Sequence, residues 1–162
     1  MDTPEKGSRS LFPVRVAIAL GSNLGDRQAN LEYAIDALSV DLSDIRRSTF
    51  IETAPVGVGE EHGCYVNAAL VGFTNLSARD LLNRLLEIEE ERGRQRPYPQ
   101  APRTLDLDLI LYGDAVIEEA GLSVPHPHFR ERAFVLRPLA EIAPDMRDPV
   151  TKLALSELLS PH

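Results

Sequence analysis

The sequence predicts an α+β sandwich, a mainly antiparallel sheet with helices on one face. Apolar, β-branched runs at residues 14–20, 45–53, 65–73 and within 103–113 have strand composition. Two segments between them carry apolar residues at helical spacing, and the resulting order is strand, helix, strand, strand, helix, strand.

Residues 14–20 form an aliphatic run that ends at Gly21, the pattern of a buried strand, and GSNLGD follows. Leu31, Ala34, Ile35 and Leu38 fall at i, i+3, i+4 and i+7, one face of a helix that Asp26 is eligible to cap. Residues 41–44 mark a turn. The strand at 45–53 runs into APVGVGEEHG, a Pro- and Gly-rich loop without periodicity. After the strand at 65–73, Ser77 with Asp80 three residues on starts a second helix, whose apolar side is Leu81, Leu82, Leu85, Leu86 and Ile88 and whose stop is Gly93. Pro97, Pro99 and Pro102 then block regular structure ahead of the strand RTLDLDLILYG. Short extended pieces, a VPHPHF turn, a segment around 132–139 and a final helix near 151–159 complete the chain. Apart from these C-terminal additions, the order is the ferredoxin-like βαββαβ sandwich.

The 162 residues, 43% hydrophobic and 26% charged, suit one globular domain over 14–162, preceded by a flexible polar tail at 1–13. A net charge of −8 argues against nucleic-acid binding, which needs a basic surface, so an anionic ligand must meet a local cationic patch. The lone Cys64 rules out an internal disulfide and fits a reducing compartment. The apolar run at 16–20 is far too short for a membrane span and no signal-peptide pattern precedes it, so a cytoplasmic protein with no membrane partner is expected.

The strand at 103–113 carries the main chemical clue. Side chains alternate along a strand, so Leu105, Leu107, Leu109 and Leu111 are expected on one face and Asp106 with Asp108 on the other. Two residues rise roughly 6.6 Å, within reach of one hard cation or a close pair. Two readings fit: carboxylates that solvate an open sheet face, and a Mg²⁺ site for a phosphate substrate. Arg92, Arg94, Arg96 and Arg103 lie within twelve residues that contain no Asp or Glu, and guanidinium groups bind phosphate oxygens bidentately. Two readings fit here as well: a solvated basic linker, and the cationic patch the acidic chain requires. Tyr65 and Asn67 share one strand face, and a carboxamide suits the edge of an aromatic heterocycle; Phe134 offers a stacking surface, although all three residue types also serve as core or strand-end residues. His126 and His128 lack a third soft ligand, which argues against zinc. GSNLGD lacks the spacing of a phosphate loop and reads as a turn with a helix cap.

Taken in order, ALGSNLGD, TAPVG, YVNAAL, PRTLDLDLILYG, VPHPHF and FVLRPLAEIAPD, over residues 16–145, resemble the 6-hydroxymethyl-7,8-dihydropterin pyrophosphokinases of folate biosynthesis. The resemblance implies transfer of the diphosphate of ATP to the pterin hydroxymethyl group, giving AMP and a pterin diphosphate, with two Mg²⁺ ions. It makes Asp106 and Asp108 metal ligands and Arg94 and Arg103 the catalytic phosphate arginines. Glu89, Arg96, Leu109, His126 and Arg132, with Arg103, become nucleotide contacts. Thr53, Val56, Tyr65, Asn67 and Phe134 become pterin contacts. The partners implied are pterin and ATP alone, on a monomer. The chain departs from a common family form at Pro99, Gln100 and Ala101, where Arg-Trp-Gly is frequent, and at Gly121 and Pro127, where some members carry an arginine and an aromatic. Paired carboxylates also suit a nucleotidyl transferase, which releases pyrophosphate; a metabolite-binding module of this fold would not need the arginines beside the D-x-D.

Overall fold

Strand β1 (Val14–Ser22) is the axis of the sheet, pairing antiparallel with β4 (Tyr65–Thr74) on one side and with β5 (Asp106–Tyr112) on the other. The computed structural model that shows this describes residues 12–53, 64–93 and 104–159. Beyond β4 lie β2 (Ser43–Arg47) and the three-residue β3 (Ile51–Thr53), both antiparallel to it, so the strand order is β2-β4-β1-β5 with β3 beside β4. With helices α1 (Arg27–Leu38) and α2 (Ala78–Gly93) between strands, this is the expected ferredoxin-like sandwich. Of the tail expected at 1–13, only Phe12 and Pro13 are described, both exposed.

Alternation along the strands divides the core in two. Val16, Ile18, Leu20, Leu70, Leu107 and Leu109 meet Leu31, Leu38, Leu81, Leu85 and Ile88 of α1 and α2. Ala17, Ala19, Ala69 and Val71 face the other way, toward a one-turn 3-10 helix (Phe129–Glu131), α3 (Ala133–Ile142) and α4 (Leu155–Leu159). Alanines on that face let Phe129, Leu136 and Leu139 pack close to the backbone. The C-terminal additions therefore cover part of the second face. A small hairpin, β6 (Ile117–Glu119) with β7 (Leu122–Val124), buries Leu122 and Val124 in the first core.

Both helix starts follow the caps read from sequence. Asp26 accepts from Ala29 N–H at 3.1 Å, and Ser77 Oγ from Asp80 N–H at 3.1 Å. The GSNLGD turn is tied down by buried Asn30, whose Nδ2 donates to Ser22 Oγ (3.1 Å) and Leu24 O (2.9 Å) while its Oδ1 accepts from Arg92 Nε (2.8 Å). Several expectations shift, and Leu86, read as part of the apolar side of α2, is exposed. The strand at 45–53 breaks in two, because Ser48 turns its N–H to Ala69 O and its hydroxyl to Ala69 N–H. The turn at 41–44 is shorter, since Ser43 and Asp44 already belong to β2, where Asp44 takes a φ of 51° beside a register shift. Leu111 does not share a face with Leu105, Leu107 and Leu109: a bulge opposite Ala17 and Ile18 inserts Ile110, and Ile110 and Leu111 both enter the second core. The last helix starts at Leu155 rather than Thr151, because Thr151 Oγ1 and Val150 N–H are held by Asp148. The loops 54–63 and 94–103 read from sequence lie outside the described residues.

Candidate active site

The part of the second face that α3 leaves uncovered is the end where β1, β4 and β5 present polar groups. Register puts Asp106, Gly21 and Asn67 in one cross-strand row, and Asp108, Ala19 and Ala69 in the next row on that face. Strands stand about 4.8 Å apart, so a carboxylate and a carboxamide flank a glycine with roughly 9.6 Å between their backbones. Gly21 keeps that gap open: a Cβ there would lie 3.2 Å from Asn67 Oδ1 and 3.8 Å from Tyr65 Cδ1. The result is a cavity of about 410 Å³ walled by Ala19, Leu20, Gly21, Thr53, Tyr65, Asn67, Asp106, Asp108, Arg132, Phe134 and Val135.

Its polar groups are braced. Asn67 is buried and donates Nδ2–H to Thr53 Oγ1 at 2.9 Å. Arg132 precedes α3 and sets its guanidinium carbon 5.9 Å from the centre of the Phe134 ring, whose side chain stays substantially exposed at the cavity mouth.

A second cavity of about 260 Å³ shares Asp108 and is walled by Leu82 of α2, Leu107, Asp108 and Leu109 of β5, Gly121, Leu122 and Ser123 of the hairpin, and His126 with Pro127. Leu109 is at once a core residue and part of this wall. His126 is held below its ordinary pKa by burial and by the neighbouring Arg132 and His128, with Asp106 pulling the other way. The ring is therefore neutral at pH 7, and because Nδ1 accepts from His128 N–H at 3.1 Å, its proton sits on Nε2. Glu89, on α2, accepts from the Leu107 amide at 2.7 Å, the peptide group between the two aspartates. Gly93 brings the end of α2 against the start of the same strand, since a Cβ there would fall 2.4 Å from Thr104 Cβ. Helix and strand thus fix the carboxylate pair from its flank.

Among the described residues, no three His, Cys, Asp or Glu side chains close on one point. Asp106 and Asp108 offer a hard cation carboxylate oxygens only, the donor set that Mg²⁺ takes while keeping its remaining positions for water and phosphate. The pair fits that ion.

The structure thus gathers Thr53, Tyr65, Asn67, Asp106, Asp108, Arg132 and Phe134 around the first cavity, and Asp108, Leu109 and His126 around the second. Glu89 reaches the carboxylate strand through its backbone. Val56, Arg94, Arg96 and Arg103 lie outside the described residues. Sequence reasoning passed over Gly21, Leu82, Val135 and the hairpin residues Leu122 and Ser123 as wall residues. The position of Gly21 beside Asn67 and Asp106 follows from register, which a single strand does not disclose.

Residues 17–144 match the family model described as 7,8-dihydro-6-hydroxymethylpterin-pyrophosphokinase. A 2-amino-4-hydroxy-6-hydroxymethyldihydropteridine pyrophosphokinase of Pseudomonas aeruginosa is 39% identical over 140 residues, covering 83% of this chain and 84% of its own. Proteins of the same name from Synechocystis (41% identical; 88% of this chain, 73% of its own) and Bacillus subtilis (41%; 83% and 81%) match as well. In fold, the chain is similar to a solved HPPK-DHPS structure from Plasmodium falciparum, with a TM-score of 0.71 at 16% identity, covering 91% of this chain and 44% of that one. The matched stretch contains every wall residue of both cavities, and on that footing the chain belongs to the 7,8-dihydro-6-hydroxymethylpterin-pyrophosphokinase family and is an enzyme of folate biosynthesis.

Proposed function

We propose that this pyrophosphokinase, which passes the diphosphate of ATP to 6-hydroxymethyl-7,8-dihydropterin, works at the junction of its two cavities, with the pterin in the first and the nucleotide in the second. One observation carries the reading: Asp108 belongs to the walls of both. The first cavity suits a flat heterocycle, with Thr53 and Asn67 meeting its polar edge while Tyr65 and Phe134 offer apolar faces. Leu82 and Leu109 give the second an apolar side, and His126 offers a neutral N–H donor to a phosphate or ribose oxygen.

Asp106 and Asp108 would hold Mg²⁺, two ions in this reading, and the bound metal would supply neutralisation of the phosphate charge. The pterin hydroxyl attacks the β-phosphorus in line; the new C–O–P bond forms as the bond from β-phosphorus to the α,β-bridging oxygen breaks, AMP leaves with that oxygen, and the hydroxyl proton passes to solvent. Arg132, with Arg94, Arg96 and Arg103, meets the phosphates, and Arg94 and Arg103 stabilise the charge that builds up in transfer. Glu89 serves the nucleotide side by holding the Leu107 amide, and Val56 completes the pterin contacts. We read residues 14–162 as one pyrophosphokinase domain behind a tail at 1–13, acting as a cytoplasmic monomer without nucleic-acid or membrane partners. No helix among the described residues is long and apolar enough to cross a membrane.

Incubating the protein with ATP, Mg²⁺ and the pterin, with controls that omit each, and analysing products by mass spectrometry tests the reading. AMP and a pterin diphosphate, dependent on both metal and pterin, are expected. Release of pyrophosphate instead would indicate a nucleotidyl transferase, and binding of both ligands without turnover would indicate a binding module.

A further inference from the structure

We infer that Arg27, the first residue of α1, is a positioning residue for the pterin cavity: it clamps the end of the β3–β4 ladder that presents Thr53, Tyr65 and Asn67. The inference rests on the reading of the first cavity as the pterin site.

That ladder is built on the shortest strand of the sheet. β3 has three residues and pairs through Ile51 with Asn67, Glu52 with Val66 and Thr53 with Tyr65. The outermost rung, Thr53 with Tyr65, supplies two wall residues of the cavity, and Thr53 Oγ1 is the acceptor that orients the Asn67 carboxamide at 2.9 Å. A three-residue strand at the end of a ladder frays unless something outside it holds the last rung.

Arg27 reaches both sides of that rung. Its Nη1 donates to the carbonyl of Cys64, the residue before Tyr65, at 2.7 Å, and its Nη2 donates to the Glu52 carboxylate, the residue before Thr53, at 3.3 Å. The two bonds differ in weight. Glu52 is largely exposed, so the ion pair adds little. The bond to Cys64 O is shorter, half-buried and charge-assisted, and it links α1 to a residue 37 positions away. The base of α1 is itself anchored by the Asp26 cap and by the Asn30 bonds to Ser22 and Leu24, so the guanidinium projects from a fixed support. Among the described residues, the bonds Arg27 makes go to Cys64 and Glu52, both on the pterin side.

The test compares Arg27→Ala, Arg27→Lys and Asn67→Ala with the parent enzyme in steady-state kinetics on both substrates, together with amide hydrogen exchange of β3 and β4 without ligand. For Arg27→Ala, the pterin KM is expected to rise about tenfold, the effect of one charge-assisted hydrogen bond, with kcat and the ATP KM changed by less than about twofold. Exchange should quicken at residues 52, 53, 65 and 66 while residues 16–20 of β1 keep their protection. Arg27→Lys retains a donor for Cys64 O and should recover part of the pterin affinity. An unchanged pterin KM in Arg27→Ala, or a parallel rise in both KM values, overturns the clamp. The two readings separate through Asn67→Ala. If that variant leaves the pterin KM untouched, the assignment of the cavity fails; if it raises the pterin KM while Arg27→Ala does not, the clamp alone fails.

Discussion

Replacing Asp148 by asparagine removes a charge that the fold has enclosed. The Asp148 side chain has no exposure, and its carboxylate accepts from Arg130 Nε (2.6 Å) and Nη2 (2.9 Å), Val150 N–H (3.0 Å) and Thr151 Oγ1 (2.8 Å). Burial pushes its pKa up, but these hydrogen bonds and the guanidinium charge more than reverse that, leaving it at about 2 against an ordinary 3.8. Because the folded value lies below the unfolded one, the ionised carboxylate stabilises the protein fully above about pH 4, and that contribution is lost as pH falls toward 2. A gap of nearly two units corresponds to roughly 2.5 kcal/mol. Asp148→Asn should therefore lower the unfolding free energy by about 2–3 kcal/mol at pH 7, read from urea midpoints with unchanged m values. The difference between parent and variant should then close between pH 4 and pH 2. A loss under about 1 kcal/mol at pH 7, or a difference that does not narrow in acid, would refute the argument.

Other outcomes follow from the site. Asp106→Ala or Asp108→Ala should reduce turnover by at least about a hundredfold with little loss of thermal stability, because both carboxylates lie on a cavity wall; near-parent kcat would remove them from the metal role. Gly21→Ala should raise the pterin KM about tenfold and spare the ATP KM, since its Cβ would crowd Asn67 Oδ1 at 3.2 Å; equal effects on both substrates would count against the division of the cavities. Arg94→Ala should lower kcat more than it weakens ATP binding, measured by single-turnover kinetics beside equilibrium titration, and an unchanged kcat would leave that arginine without a transition-state role.

The readable parts of this chain were those governed by local periodicity and capping. Both helix starts, β1, β4 and the carboxylate pair follow from spacing and from Asp26 and Ser77, whose capping bonds need no distant partner. The misplaced face of Leu111 shows the limit. A bulge is set by how Ala17 and Ile18 of another strand meet β5, and nothing in LDLDLILYG distinguishes a regular strand from one with an inserted Ile110. The same holds for Gly21 and the hairpin walls, which become site residues only through register. The shared cavity wall of Asp106, Asp108, Tyr65 and Asn67 was legible because strand alternation puts the two residues of each pair on one face, whereas Glu89 gave no local sign that it would hold the Leu107 amide.

The outer edge of β5 also bears on how the protein tolerates crowding. Sheet edges with unspent donors and acceptors invite strands from neighbouring molecules. Here Glu89 takes the Leu107 N–H and His126 N–H takes the Ile110 carbonyl, so two of the groups such a neighbour would use are already engaged. Edge-to-edge growth is thereby discouraged along the strand that bears Asp106 and Asp108, and raising the protein concentration should leave this border of the sheet open to small ligands.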